Sequence, residues 1–322
     1  MDAELRWIAA AAGAERARKG ERIQSLWGGY GEIVRVHLTG ARIRAGSDRA
    51  SVIVKRVEPP ARSRSDSASH RRKVRSYHVE TTWYRTLARR CDDACRVPRL
   101  LDAKVTGERG LLVLEDLDAA GFAERRRRPT SAELASCLAW LASFHARFLG
   151  VAPEGLWKVG TYWHLATRRG ELAVIADAAL RSAAPTLDRR LRDAAFQTLV
   201  HGDPKPANFC FAPGGRVVAA VDFQYVGGGC GMKGVAYLLA GPDAYDSQDE
   251  ERQLDGYFAH LRRALVARGA GGDADALERE WRSLYPLACA DYYRFLAGWA
   301  PGHWRGQTHG QRVVRDVLRT LA

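Results

Sequence analysis

The segment HGDPKPAN, residues 201–208, decides the fold expected of this chain, together with DFQ at residues 222–224. It places the carboxylate of Asp203, the ammonium of Lys205 and the carboxamide of Asn208 within six positions, and Asp222 follows fourteen residues after Asn208. Two prolines and a glycine dictate a turn. A turn alone requires none of these charged and amide side chains in this order, so the segment indicates a reaction site.

The chemistry that suits these groups is phosphoryl transfer from ATP, which depends mainly on positioning and on charge neutralisation. That reaction needs a carboxylate beside the acceptor hydroxyl, oxygen ligands for Mg²⁺ and a cation near the transferred group. Residues 201–222 supply all three. Their spacing also matches the kinase signature H-R-D-x-x-x-x-N followed by D-F-G.

The first half of the chain carries three further features in the order that this signature requires. A glycine turn, Gly28-Gly29-Tyr30-Gly31, lies between two predicted strands and can bring backbone N–H groups close to phosphates. Lys55, in VIVK, occupies the position of the lysine in V-A-I-K. Glu80 lies on the next predicted helix, where its carboxylate can hold Lys55 toward the nucleotide phosphates.

The segment LLVLEDL, residues 111–117, is predicted to be the last strand of the first half and to lead into a hinge. The backbone of this hinge is expected to hydrogen-bond adenine, so Glu115 and Leu117 are included among the nucleotide-binding candidates. The side chains of Glu115 and Asp116 fit an acidic turn equally well.

Hydrophobic periodicity predicts a helix over 2–19, strands over 21–27, 32–39 and 51–57, a helix over 77–90, and strands over 97–105 and 111–114. From residue 117 the pattern becomes mainly helical, apart from two short strands near 209–211 and 217–221. We therefore predict an α+β protein with two lobes. Residues 1–116 form a nucleotide-binding lobe of five antiparallel strands and one helix, and residues 117–322 form a mainly helical catalytic and substrate-binding lobe.

The HGD form of the motif resembles the aminoglycoside phosphotransferase and choline kinase superfamily, whose members share the bilobal protein-kinase-like fold and phosphorylate small molecules. A longer resemblance, to the ecdysteroid-kinase-like (CHK kinase-like) branch, is carried by four segments: GLWKVGTYWHLATR (155–168), HGDPKPANFCF (201–211), VDFQYVGGGCGMKGVAYLL (221–239) and YYRFLAGWAPGHW (292–304). The resemblance covers nearly the whole chain.

The resemblance implies a role for each residue of the motif. Asp203 would be the catalytic base, Lys205 would contact the γ-phosphate, and Asn208 and Asp222 would bind Mg²⁺. The implied cofactors are ATP and Mg²⁺. Such kinases commonly carry a supporting Asp shortly after the metal-binding Asp, but this chain has Gly234 at the expected position. A nucleotide-binding pseudokinase therefore remains an alternative, as does substitution by Asp243 or Asp246.

The acceptor is expected to be a small-molecule alcohol, largely apolar or containing rings, because the second half of the chain is rich in aromatic residues. The candidate substrate-binding residues are Trp157, Tyr162, Trp163, His164, Tyr225 and Trp299. A choline-type acceptor stays open because aromatic faces bind quaternary ammonium groups. An aminoglycoside-type kinase is a further alternative, although a net charge of +13 disfavours a cationic substrate.

The same charge raises the alternative of nucleic-acid binding, but the basic residues are spread over the whole chain, so no nucleic-acid partner is predicted. No apolar run reaches the length of a membrane span, and the first residues fit a secretory signal poorly. A cytoplasmic protein with no membrane association is expected. Six scattered cysteines suggest free, buried thiols. Either a monomer or a homodimer is compatible with the sequence.

Overall fold

The structure is a computed structural model and describes residues 2–40, 50–60, 67–240 and 247–321. The chain forms two compact units. Unit 1 contains residues 1–92, 96–125 and 210–224, and unit 2 contains residues 93–95, 126–209 and 225–322. The predicted division at residue 116 stays a proposal. Unit 1 differs from the predicted lobe by including residues 117–125 and 210–224 and by leaving out residues 93–95.

Unit 1 is built on an antiparallel sheet of five strands in the order β1-β2-β3-β5-β4. Its strands and helices are α1 (Ala3–Ala12), β1 (Arg16–Ser25), β2 (Gly31–Thr39), β3 (Ser51–Val57), α2 (Ala68–Thr86), β4 (Leu100–Thr106) and β5 (Arg109–Glu115). Val52 and Val54 of β3 are fully buried and pack with Val34 and Val36 of β2 and with Ile8 of α1. The α+β class and the five-stranded antiparallel sheet are confirmed.

The predicted first helix was too long, because α1 ends at Ala12 and β1 begins at Arg16. Gly13 adopts a left-handed conformation with φ of 66° and caps the helix, as glycine at this position commonly does. The charged stretch RARKGERIQS then forms a strand whose residues are mostly exposed. The sequence predicted only the second part of this strand, over 21–27, because its first residues are charged and only Ala17 is buried in it.

Helix α2 begins earlier than predicted, at Ala68, because the Ser67 hydroxyl accepts a hydrogen bond from the His70 N–H and caps the helix. Residues 61–66, which precede this helix, lie outside the described residues. After β5, unit 1 adds a small sheet from β6 (Glu124–Arg125), β8 (Phe209–Phe211) and β9 (Val218–Ala220), in the order β6-β8-β9.

Unit 2 is mainly helical, as predicted. Its helices are α3 (Ser131–Arg147), α4 (Arg169–Ala173), α5 (Ala178–Arg192), α6 (Met232–Leu239), α7 (Ser247–Val266), α8 (Ala274–Trp299), α9 (Pro301–Arg305) and α10 (Thr308–Leu321). Strands β7 (Thr198–Val200) and β10 (Gly227–Gly229) form an antiparallel pair. Thr130 and Glu133 form a capping box that starts α3.

Helix α5 continues through Pro185. Its buried residues Leu180, Ala184, Leu187 and Leu191 recur at helical spacing on both sides of the proline, so packing of this face outweighs the lost hydrogen bond.

All six cysteines are free, five of them buried and Cys91 half-buried, which agrees with the sequence prediction. Within the described part of the chain, no helix is long and apolar enough to cross a membrane.

Candidate active site

The HGDPKPAN segment forms a tight loop in unit 2 between β7 and β8. Gly202 has a φ of 90°, and Pro206–Asn208 form one turn of 3-10 helix that leads into β8. A proline at the first position suits such a turn because its φ is already fixed near the helical value. Asp203, at the centre of the loop, is largely buried.

The loop's side chains converge on Asp203. Lys205 Nζ donates a hydrogen bond to Asp203 Oδ2 at 2.8 Å. Asn208 Nδ2 donates to the Asp203 carbonyl at 2.8 Å and to its Oδ2 at 3.1 Å. His201 is completely buried, and its Nδ1 accepts the Asp203 backbone N–H at 3.2 Å. His201 thus braces the loop, while Asp203, Lys205 and Asn208 form one connected group.

Close backbone packing fixes this loop from a second side. The Gly202 carbonyl accepts the Tyr162 N–H at 3.1 Å, and the Tyr225 carbonyl accepts the Thr161 N–H at 3.1 Å. A Cβ at Gly202 would come closer than 3.0 Å to the Tyr225 carbonyl oxygen. Thr161 itself has a φ of 94°, a strained conformation for a β-branched residue. Such strain persists only where the surrounding structure determines the backbone, which indicates that the segment packed against the 201–208 loop is rigid.

Unit 1 brings together the other charged candidates. Lys55 Nζ lies 2.6 Å from Glu80 Oε2 and 3.6 Å from Asp222 Oδ1. The side chains of Lys55 and Glu80 are almost fully buried, whereas the Asp222 side chain is 30% exposed. The predicted ion pair between the strand lysine and the helix glutamate is therefore present, and Asp222 is its solvent-facing neighbour.

The two carboxylates of this cluster support the charge of Lys55. Burial opposes the charged form of the Lys55 ammonium, but Glu80 and Asp222 outweigh that effect and raise the pKa of Lys55 above its usual value. Burial, to which the neighbouring Asp222 adds, raises the pKa of Glu80 as well, although Lys55 opposes this effect. The Lys55 ammonium stays charged and can donate a hydrogen bond to a further oxygen atom. Lys55 is therefore suited to contact phosphate oxygen atoms that come close to Asp222.

The DFQ segment is held tightly in unit 1. Asp222 has a φ of 70°, which is unusual for a residue other than glycine. The Phe223 ring stacks on Trp83 of α2 with ring centroids 4.7 Å apart, and Ser76 Oγ donates to Gln224 Oε1 at 3.3 Å. Both contacts are made with α2, the helix that carries Glu80. Gln224 in place of glycine thus ties this segment to α2.

The glycine turn is a tight connection between β1 and β2. Gly28 and Gly29 have φ values of 70° and 75°, and Trp27 before them is 79% exposed. Gly31 is required for a different reason, because a Cβ there would overlap the Arg56 carbonyl oxygen. The Tyr30 side chain is buried, with its hydroxyl 2.7 Å from His70 Nδ1, so this predicted nucleotide-binding side chain packs inward.

The predicted hinge residues make mostly structural contacts. The Glu115 carboxylate accepts hydrogen bonds from Arg96 and from Arg99, and its backbone N–H binds the Arg99 carbonyl. Burial opposes ionisation of Glu115, but these arginine contacts lower its pKa overall. Leu117 is buried against Cys210 and Ala219, and its carbonyl accepts two N–H groups from the following turn. The Glu115 side chain therefore has a structural role, as in the alternative of an acidic turn.

An aromatic cluster lies beside Asp203 in unit 2. Burial, with the nearby Asp203 charge adding to it, raises the pKa of Tyr292 to about 12 and raises those of Tyr162 and Tyr237 as well. The Tyr237 and Tyr292 rings have centroids 4.9 Å apart, and the Tyr162 and Tyr237 hydroxyl oxygens are 3.4 Å apart. These half-buried tyrosines lie close enough to Asp203 for its charge to affect their hydroxyl groups.

Five of the six predicted acceptor residues belong to this aromatic cluster. Trp163 packs on Tyr237 and is fully buried, and Trp157 stacks on Tyr225, so the two tryptophans are supporting rings. Trp299 is 53% exposed. Its ring stacks on Phe295, which in turn contacts Tyr162. The sixth, His164, lies 3.5 Å from Asp188. This contact suits a structural histidine, which is the more common role for this residue type.

Sequence reasoning noted Tyr292 only as one of the aromatic residues of the second half, and it missed Tyr237 and a buried ion cluster. The Asp291 carboxylate binds Arg294 at 2.8 Å and lies 3.4 Å from Lys233, and all three side chains are buried. Burial opposes ionisation of Asp291, but Arg294 and Lys233 lower its pKa overall. The sequence carries no signal for Tyr237, because its half-exposed position on an otherwise buried α6 is known only from the structure.

Gly234, the departure from the expected pattern, lies on α6. A Cβ there would meet His145 and Pro204 at 3.7 Å, an ordinary contact distance, so the position has room for a side chain beside the catalytic loop. His145 is fully buried, and its Nε2 has no hydrogen-bond partner among the described residues. The two aspartates considered as substitutes, Asp243 and Asp246, lie outside the described residues.

Comparison with known proteins agrees with this arrangement. Residues 36–282 match the profile of the phosphotransferase enzyme family. The chain belongs to this family. A search of curated proteins gave no match. As a member of the phosphotransferase family, the chain is expected to share its fold with kinases of small molecules, and solved structures bear this out.

Three solved kinases illustrate the shared fold. A choline kinase from Cryptosporidium parvum aligns with a TM-score of 0.59 at 9% identity, over 99% of this chain and 97% of its own. An amicoumacin kinase solved with AMP-PNP and Ca²⁺ aligns with a TM-score of 0.52 at 14% identity, over 100% and 98%. A Plasmodium vivax ethanolamine kinase gives 0.52 at 13% identity, over 95% and 83%. At these identities the likeness shows the fold, and the substrate of this phosphotransferase needs separate arguments.

Proposed function

We propose that this phosphotransferase transfers the γ-phosphoryl group of Mg·ATP to a hydroxyl of a small molecule that is largely apolar or contains rings. The observation that carries the proposal is the group formed by Asp203, Lys205 and Asn208 on a rigid loop beside the tyrosine cluster. Asp203 would accept the proton of the acceptor hydroxyl. Lys205 would leave Asp203 and neutralise charge on the transferred phosphoryl group.

Nucleotide binding is assigned to unit 1. Lys55, held by Glu80, would contact the α- and β-phosphates, and the backbone of the Gly28–Gly31 turn would lie over them. Glu115 and Leu117 would contribute backbone groups, since the Glu115 side chain is occupied by arginines. The positive charge of Lys55 suits the phosphates, whereas the main-chain groups at the end of β5 suit the adenine.

The magnesium role is proposed for Asn208 and Asp222, and the donors fit the ion. The Asn208 amide nitrogen is committed to Asp203, which leaves its oxygen for a cation. The Asp222 carboxylate is partly exposed. Both are hard oxygen donors of the kind that Mg²⁺ prefers. In the described part of the chain, no group of three or more His, Cys, Asp or Glu could hold a metal ion, so phosphate oxygens would complete the coordination.

The acceptor class is argued from the tyrosine cluster. The rings of Tyr162, Tyr237 and Tyr292 are half-buried, and the Asp203 charge helps to raise the pKa of their hydroxyl groups. An acceptor whose hydroxyl approaches Asp203 would therefore place its carbon skeleton against these rings. Apolar or ring-containing alcohols suit such walls, and so does a quaternary ammonium of the choline type. This preference is consistent with the resemblance to the ecdysteroid-kinase-like branch.

A pseudokinase is retained as the second candidate because of Gly234. If a carboxylate is needed there to support the loop, nucleotide binding would persist while transfer would be weak. An active kinase and a pseudokinase would share the same fold and the same nucleotide-binding residues.

The test is a screen of a metabolite library for an ATP- and Mg²⁺-dependent mass gain of one phosphate, with Asp203→Ala as the control. A product that forms with the wild type and is absent with Asp203→Ala supports the proposal. Nucleotide binding without any product across a broad panel of alcohols, including choline and aminoglycosides, supports the pseudokinase instead.

A further inference from the structure

Lys73, on the first half of α2, lies against the glycine turn. Its Nζ is 4.4 Å from the centroid of the Tyr30 ring, and a Cβ at Gly28 would lie 2.5 Å from the same Nζ. The ammonium therefore occupies the space that a side chain at position 28 would fill. Gly28 is required here both for its positive φ and for the approach of this cation.

The position of Lys73 on α2 aligns it with Glu80. The two residues are seven positions apart, so they lie two turns apart on one face of the helix. Tyr77 lies between them on that face, stacks with Tyr30 at 6.3 Å, and has Lys55 Nζ 5.8 Å from its ring centroid. Two stacked tyrosine rings thus separate two ammonium groups, one at the glycine turn and one beside Asp222.

The two lysines differ in their partners. Lys55 is paired with carboxylates, whereas no carboxylate pairs with Lys73 among the residues that the structure describes. Burial and the neighbouring Arg72 lower the pKa of Lys73, as expected for a cation without a compensating negative charge. An ammonium that rests on an aromatic face is held more weakly than one that makes charge-assisted hydrogen bonds to phosphate. The Lys73 ammonium would therefore move from the Tyr30 ring to a polyanion that binds nearby.

The local sequence also singles out this lysine. Only seven of the 50 basic residues in the chain are lysine, and Lys73 stands within the run RRKVR at 71–75. Arg71 and Arg75 of this run are exposed. A lysine presents a compact point charge on a flexible stem, which suits a narrow space beside a glycine better than a planar guanidinium.

We propose that Lys73 is a phosphate-binding residue, which supplies a second cation to the nucleotide phosphates at the Gly28–Gly29 turn. In the free protein its ammonium rests on Tyr30, and on nucleotide binding it turns to the phosphate oxygens. This inference rests on the proposed function, because it assumes that unit 1 binds a nucleotide.

The test compares Mg·ATP, Mg·ADP and adenosine as ligands of the wild type and of Lys73→Gln, by isothermal titration calorimetry. Lys104→Gln is the control, because Lys104, although more exposed than Lys73, also lies over an aromatic ring, with Nζ 4.2 Å from the Trp7 centroid. We expect Lys73→Gln to weaken Mg·ATP binding about tenfold and to leave adenosine within about twofold. Lys73→Arg should recover part of the loss, and Lys104→Gln should change nothing.

Two results would overturn the inference alone: equal affinity of wild type and Lys73→Gln for Mg·ATP, or equal losses for Mg·ATP and adenosine. The second result would mean that Lys73 only stabilises the glycine turn through Tyr30. A folded wild type that binds none of the three ligands would instead overturn the nucleotide site, and the role of Lys73 with it.

Discussion

Replacing Gly202 with alanine tests whether close backbone packing positions the catalytic loop. Gly202 has a φ of 90°, and a Cβ there would come within 3.0 Å of the Tyr225 carbonyl oxygen. Gly121 offers a matched control, since its φ is 92° and a Cβ there would meet no atom within 4 Å. The two substitutions share the conformational penalty and differ in the steric clash.

The expected magnitudes follow from that difference. A side chain at such a φ costs about 1–2 kcal/mol, so Gly121→Ala should lower the free energy of unfolding by roughly 1 kcal/mol and leave transfer intact. For Gly202→Ala, the backbone must also move away from Tyr225, and overpacking of this kind adds about 1–3 kcal/mol. A shift of about 1 Å at Asp203 would lower kcat about 100-fold.

Urea unfolding measures the first quantity, and steady-state transfer to the acceptor found by the screen measures the second. Titration with Mg·ATP shows whether unit 1 keeps its nucleotide site in both variants. If Gly202→Ala matched Gly121→Ala in stability and kept its kcat within about threefold of wild type, the packing against Tyr225 would not position the loop.

Three further predictions concern buried charges and the departure at position 234. Glu80→Gln should lower the free energy of unfolding by about 3 kcal/mol, because it leaves the buried Lys55 with only a more distant carboxylate. Glu58→Gln breaks the exposed ion pair with Arg109 and should lower the free energy of unfolding in a urea titration by less than about 1 kcal/mol. Equal losses of stability for Glu80→Gln and Glu58→Gln would refute this prediction. Burial and the nearby His201 ring lower the pKa of His145 from 6.5 to about 3, so the unfolded state binds more protons between these values. The free energy of unfolding should therefore fall as pH drops from 6.5 toward 3, by up to about 1.4 kcal/mol per pH unit. The His145→Gln variant should show a smaller dependence of this free energy on pH. The same dependence in wild type and variant would exclude a neutral buried His145. Gly234→Asp should raise kcat a few-fold over Gly234→Asn, which fits the same space without a charge, and equal kcat values would show that no carboxylate is missing.

The sequence predicted that charged candidates would come together, because residue type and spacing indicate it, while their roles stay proposals. Lys55 and Glu80 form the expected ion pair, and Asp203, Lys205 and Asn208 form one hydrogen-bonded group. Strand β3 was predicted with its observed bounds because its run of β-branched residues is typical of a strand.

The rest depended on three-dimensional packing that a linear pattern does not encode. Strand β1 is polar and exposed along most of its length, so only its second part was predicted and its first residues were placed in a helix. The arginine partners of the Glu115 carboxylate were not predicted for a similar reason, because Arg96 and Arg99 reach it only in the folded structure. Lys73 was not singled out either, since its importance arises only when the helix and the glycine turn are folded against each other.

The central claim is that Asp203 is the base of a phosphoryl transfer. The most direct measurement is kcat for wild type and Asp203→Asn at saturating Mg·ATP and acceptor, with nucleotide affinity measured in parallel. The account predicts that kcat falls at least about 100-fold, as expected for a positioned general base, while the Kd for Mg·ATP stays within about threefold. A kcat within a few-fold of wild type would contradict it.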